Sequence, residues 1–144
     1  MDLQNPTKKM AKSDDEGKGC IYLLDPIPVT KKKIKSAVTD NFAHVHFDQV
    51  NQPGISNLMT IYSAITGISF DEIEKKYDGK GYGDFKGDLA EIVANEIQVL
   101  QDRFNEIINS KELDTILDEG RERASYLAKI KMKKVYHKLG IGRN

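Results

Sequence analysis

Lys9-Met10-Ala11-Lys12-Ser13 sets two ammonium groups and a hydroxyl within five residues of a segment that has no apolar period and also holds Pro6, Gly17 and Gly19. Such a segment reads as an exposed, mobile loop. Lysines on a loop of that kind can follow negative charge as it develops on a phosphate group, which is electrostatic catalysis. The bland reading is a solvated basic loop, and the five residues alone leave both open.

Other candidates carry less. Gly79-Lys80-Gly81-Tyr82-Gly83 has glycines at alternate positions, but it follows a helical pattern instead of a strand and lacks the spacing of known phosphate loops, so it reads as a structural turn. His44 and His46 have only Asp48 nearby as a further ligand type, and alternating surface positions explain them better than a metal site. No metal ligand set is therefore assigned. The lone Cys20, beside the apolar run Ile21-Tyr22-Leu23-Leu24, reads as a small buried residue and not a nucleophile.

The elements that would position these groups are mostly helical. Asp25-Pro26 predicts an N-cap and first helical residue for a helix reaching about Val38. Pro53-Gly54 reads as a turn, after which Ser56, Leu58, Met59, Ile61, Tyr62 and Ile65 recur at helical spacing until Gly67. Ser69 and Glu72 have capping-box spacing for a short helix ending near Tyr77. A long helix is expected from Asp84 to Ile108, and a last one capped by Ser110 and ended by Gly140, with Gly120 and Ala124 leaving room for a neighbouring helix. His44-Val45-His46-Phe47 alternates like a short strand. The fold class expected is mostly α, a helical bundle preceded by an extended mobile loop segment.

In 144 residues, 39% hydrophobic and 31% charged with mean hydropathy −0.52, no apolar run approaches the roughly 20 residues of a membrane helix. A lone cysteine and the absence of a secretory pattern at the start favour a reducing, cytoplasmic setting. The net charge of zero conceals a division. Residues 120–144 hold eight Lys/Arg against one acid, leaving residues 1–119 at minus seven (14 basic, 21 acidic). A basic terminal helix can track phosphates, with Arg121, Arg123 and Lys131 as candidate nucleic-acid contacts, or its lysines can simply be a solvated face favouring the helix's own dipole.

Ordered blocks carry a family resemblance across nearly the whole chain. They are the loop of residues 9–13, Ile21–Asp25, Lys33–Asp40, Pro53–Leu58, Ile61–Ser63, Gly79–Lys86, Leu113-Asp114 and Ile116-Leu117 through Gly120. In this order they resemble the carboxy-terminal portion of the bacterial-type tryptophanyl-tRNA synthetases, class I enzymes whose Lys-Met-Ser-Lys-Ser loop follows the nucleotide-binding fold. The resemblance implies Lys9 and Lys12 as catalytic residues, and Lys9, Met10, Ala11, Lys12 and Ser13 as the ATP-binding loop. It implies ATP with Mg2+, L-tryptophan and tRNA(Trp) as partners, no membrane, and a homodimer. Residues 1–25 would be the loop and the tail end of an α/β Rossmann-like catalytic domain. Residues 26–144 would be the C-terminal helical tRNA (anticodon)-binding domain.

Two departures matter. Ala11 lacks the hydroxyl usual at its position, and nothing matches the His-x-Gly-His signature or the tryptophan pocket of the full enzymes. The expectation is therefore a part of a tryptophan-tRNA ligase, inactive without its Rossmann-type domain. The rival reading is a standalone helical tRNA- or RNA-binding module with an idle loop.

Overall fold

Five helices form among the residues that the computed structural model describes, which are 1–11 and 17–141; Lys12 and Ser13 lie outside them. They are α1 (Ile27–Lys35), α2 (Pro53–Thr66), α3 (Phe70–Lys76), α4 (Tyr82–Ile108) and α5 (Glu112–Leu139). The mostly α class is as expected. No strand forms among the described residues, residues 44–47 included.

Local signals explain most of the ends. Ser69 Oγ accepts from the Glu72 amide while the Glu72 carboxylate accepts from the Ser69 amide, so both halves of the capping box are made at α3. Gly67 and Gly140 end α2 and α5 in the left-handed conformation, which glycine adopts without a Cβ penalty. Ser110 sits one residue before the N-cap of α5, yet its hydroxyl still accepts from the Glu112 amide at 3.1 Å.

Two helix starts differ from expectation. Asp25 does not cap α1: its carboxylate accepts from the Tyr22 amide and from Lys33 Nζ, and Pro26 takes the N-cap place without a side-chain acceptor. The helix stops at Lys35, short of Val38, whose amide is used by Leu3 O. Pro53-Gly54 is the first turn of α2 and not a separate turn, with Pro53 at a position where a missing N–H costs nothing. Gly54 is required there because a Cβ would lie 2.4 Å from the carbonyl oxygen of Val38.

Chain contacts divide the protein into two units, Met1–Gln101 and Asp102–Asn144. The first holds the core. Ile34 of α1, Ile55, Leu58, Met59 and Tyr62 of α2, Ile73 of α3, and Phe85, Leu89 and Val93 of α4 are all buried, joined by Leu3 and Val45 from the connecting segments. Each fully buried side chain of this kind contributes about 1.5–3 kcal/mol. Tyr62, Tyr77 and Phe85 pack as an aromatic cluster, with Tyr77 edge-on to both others.

In the second unit most of the end of α4 and of α5 is exposed, with Ile107, Leu113 and Val135 half-buried. No residue of α5 is buried, and no atom lies within 4 Å of where a Cβ on Gly120 would sit. Leu113, Ile116, Leu117, Ala124, Leu127 and Ala128 recur at helical spacing along α5, while Tyr126 and Met132 lie on other sides of it.

A candidate phosphate loop and a basic helix

The segment carrying Lys9 is tied down at its base. The Asp2 carboxylate accepts from the amides of Gln4 and Asn5, an Asx turn that folds the chain back at once. The Asp2 amide then donates to Lys8 O at 2.8 Å, and the Leu3 amide donates to Gly19 O at 2.9 Å, joining the two stems of the loop. Leu3 is only 1% exposed and Met10 packs against the core, so a segment without an apolar period still sends two side chains inward. Two apolar residues sixteen and nine positions before Gly19 gave no period, and this is why pattern reading passed over them.

From this base Lys9 and Ala11 project as exposed residues with Met10 half-buried between them. The structure thus places three of the five loop residues; Lys12 and Ser13 lie outside the described residues. On the far side of the loop, Lys33 Nζ donates to Cys20 O and to Asp25 and lies 4.9 Å from the centre of the Tyr22 ring. Gln101 of α4 donates to the carbonyls of Leu23 and Asp25. Leu23 and Leu24 themselves are exposed, so the run after Cys20 is held by polar bonds to its backbone and not by burial of its leucines.

The glycine-rich turn before α4 serves structure. Gly79 has φ +73, and Tyr82 that follows donates its hydroxyl to Asp40 and accepts from Gln52. Burial, then the bond to Asp40, pushes the Tyr82 phenol up to about 12. Burial opposes ionisation of Asp40, but hydrogen bonds from Tyr82 and the Phe42 amide outweigh it and hold the carboxyl below its ordinary value. Lys86, one turn along, donates to Ala37 O and Thr39 Oγ1, and burial lowers its pKa. It is a structural lysine. The open depression over this turn, about 460 Å³, includes Asp84 and Asp88 in its lining, carboxylates that would repel a phosphate.

His44 and His46 are both exposed, as alternating surface positions should be, with His46 Nδ1 3.0 Å from Glu74. Cys20 is half-buried.

On α5, Arg121, Arg123 and Lys131 are all exposed. At about 100° per residue, Lys131 lies roughly 80° from each of the two arginines, so the three span about 160° of the helix surface. Arg121 makes an ion pair with Asp118 at 3.2 Å on the exposed surface, an arrangement of small energetic weight that a phosphate can displace.

Sequence reasoning passed over Asn57, Asp2, Gly19 and Tyr82 as site-building residues. Only Asn57 left a signal, as an amide set in the apolar pattern of α2.

Comparison with known proteins bears on these features together. A family model described as "tRNA synthetases class I (W and Y)" matches residues 1–98. The chain is 54% identical over 143 residues to the tryptophan–tRNA ligases of Bacillus anthracis and Bacillus subtilis, and 52% identical to that of Listeria monocytogenes. These matches cover 99% of this chain and 43–44% of the relatives, so the chain spans less than half of their length. Among solved structures, tryptophanyl-tRNA synthetase from Mycoplasma pneumoniae superposes with a TM-score of 0.76 at 34% identity, covering 99% of this chain and 43% of that one. The enzyme from Campylobacter jejuni gives 0.74 at 29% identity.

Proposed function

Because the chain belongs to the class I tRNA synthetases for tryptophan and tyrosine, we propose that it acts as the carboxy-terminal part of a tryptophan–tRNA ligase. The observation that carries this reading is 54% identity, along 99% of the chain, to relatives named tryptophan–tRNA ligase.

In the proposed reaction a carboxylate oxygen of L-tryptophan attacks the α-phosphorus of ATP, the bond to pyrophosphate breaks, and the tryptophanyl group then passes to tRNA(Trp). This chain contributes charge and position. Lys9 and Lys12 meet the negative charge accumulating on the departing pyrophosphate, with Met10, Ala11 and Ser13 completing the ATP-binding loop. Only the cationic side of this chemistry is supplied by the loop, so Mg2+ enters with the phosphates of ATP. Ala11 offers no hydroxyl, and the loop relies on its lysines the more for it. The helical part, with Arg121, Arg123 and Lys131 on α5, binds the anticodon end of the tRNA. The enzyme works in the cytoplasm as a homodimer; no helix among the described residues is long and apolar enough to cross a membrane.

Tryptophan-dependent exchange of pyrophosphate into ATP tests the reading in a polypeptide that joins this chain to a Rossmann-type domain. Exchange with tryptophan and not with tyrosine is expected. Lys12→Ala should lower turnover by about 100- to 1,000-fold with little change in tryptophan affinity, the usual cost of one transition-state charge contact. Normal turnover in that variant refutes the role given to the loop.

A further inference from the structure

Asn57 is a polar residue in the first half of α2, 8% exposed, and helix formation asks nothing of its side chain. Its amide is nevertheless fully used. Nδ2 donates to the carbonyls of Met1 and Asp2, both at 3.3 Å, bonds that hold whatever precedes Met1, and Oδ1 accepts at 3.0 Å from the terminal ammonium of Met1. All three bonds reach 55 or 56 positions along the chain to the two residues that begin the loop's first stem.

What Asn57 holds is mechanically connected to both stems. Asp2 folds the chain back toward Lys8 and Lys9 through its own amide and carboxylate. The next residue, Leu3, pairs with Gly19 in the second stem and receives the Val38 amide on its carbonyl. The stems are also in direct contact: a Cβ on Gly19 would fall 2.1 Å from the Asp2 carboxylate, so one stem cannot shift without moving the other. Buried amides keep such positions because a half-satisfied partner costs more than the bond contributes.

We infer that Asn57 is a positioning residue for the phosphate loop, setting through Met1 and Asp2 where Lys9, next after the bonded Lys8, stands relative to the reacting phosphates. The inference rests on the proposed role of that loop. Asn57 touches no substrate; it acts through the stem. Asn57→Asp keeps the shape and the acceptor but replaces the donor that faces two carbonyls, so it should displace the stem without opening a cavity.

The test is made in the whole synthetase, by pyrophosphate exchange with and without Lys9→Ala. Asn57→Asp should lower turnover about 10- to 100-fold, as a displacement of about 1 Å does, with the KM for tryptophan within about twofold. In the Lys9→Ala background the same change should cost less than about threefold, because a residue acting through the loop lysine cannot lose its effect twice. Normal turnover in Asn57→Asp, or an undiminished cost on top of Lys9→Ala, overturns the inference. Should thermal unfolding show that Asn57→Asp is not folded, Asn57→Ser is read by the same two criteria. A Lys9→Ala enzyme with normal turnover fails the loop reading itself, whereas slow Lys9→Ala beside normal Asn57→Asp fails the positioning role alone.

Discussion

The Leu3 amide and the Gly19 carbonyl, sixteen residues apart, close a hydrogen bond of 2.9 Å at the foot of the loop that carries Lys9. A segment with so little apolar content is thereby anchored at its base while Lys9 and Ala11 stay exposed. Hydrogen exchange should reflect that division. The Leu3 and Val38 amides should exchange at least about tenfold more slowly than those of exposed Lys9 and Ala11. Equal rates at all four would mean that the base is open in solution.

Gly54 meets the Val38 carbonyl with no room for a methyl group, since a Cβ there would approach the oxygen to 2.4 Å. The obstacle is backbone, itself fixed through the Val38–Leu3 hydrogen bond. Gly54→Ala should therefore destabilise the protein by about 1–3 kcal/mol, the range for forced overpacking, although alanine is the better helix former. Urea unfolding measures it, and an unchanged midpoint would show that the 37–39 segment yields freely.

These two relationships mark the boundary of what the sequence discloses. Ser69 with Glu72, Gly67 and Gly140 were legible because their partners lie within one helical turn, where residue type and spacing are the whole of the physics. The start of α2 was not, since Pro-Gly suits a turn and a helix's first turn equally, and the approach of Val38 to Gly54 from sixteen residues away carries no local signal. Asp25 looked like a cap because Asp before Pro usually is one, whereas Lys33 eight residues on captures its carboxylate. The loop of residues 9–13 stood out by its order among the family's blocks. The bonds that join its stems did not, because Leu3 and Gly19 share no local pattern, and the amide of Asn57 was visible only as a polar residue among apolar ones, without its partners. For α5 the helix was legible from its spacing and from Gly140 at its end.

Tyr82 and Asp40 form a pair whose stability depends on pH at both extremes. The Asp40 carboxyl is held below its ordinary 3.8, so its contribution is present above that value and is lost as pH falls. Tyr82 is raised from 10 to about 12, so its contribution is complete below pH 10 and disappears as pH rises towards 12. Tyr82→Phe removes one donor from the Asp40 carboxylate, which keeps the Phe42 amide, and one acceptor from Gln52, which keeps His44 O, and should cost about 1–3 kcal/mol at pH 7. The cost should shrink at pH 3, where Asp40 gains protons in the unfolded chain. A deficit in unfolding free energy that is the same at pH 3 and pH 7 would show that the hydroxyl matters for packing and not for the carboxylate. A tyrosinate absorbance titration that loses its component near pH 12 in the variant would confirm the assignment of the raised phenol.

The basic character of α5 yields the most direct test of the tRNA-binding proposal. Arg121, Arg123 and Lys131 are exposed and span about 160° of the helix, and Arg121 makes a weak surface ion pair with Asp118. Each that neutralises a phosphate releases a counterion, which adds about 0.7–0.9 to the slope of log affinity against log salt. Changing all three to Ala in the whole synthetase should therefore weaken tRNA(Trp) binding at low salt and flatten that slope by about 2 if all three make contact. A single residue turned away from the ligand reduces the change to a little over 1. The substitutions remove no buried contact, because no side chain of α5 is buried, so the unfolding midpoint should stay put and tryptophan-dependent pyrophosphate exchange, which needs no tRNA, should continue at its normal rate. Filter binding across a range of salt concentrations reads the result. Unchanged affinity and slope would make these side chains a solvated face that favours the helix dipole, and the tRNA contact would then have to come from another surface.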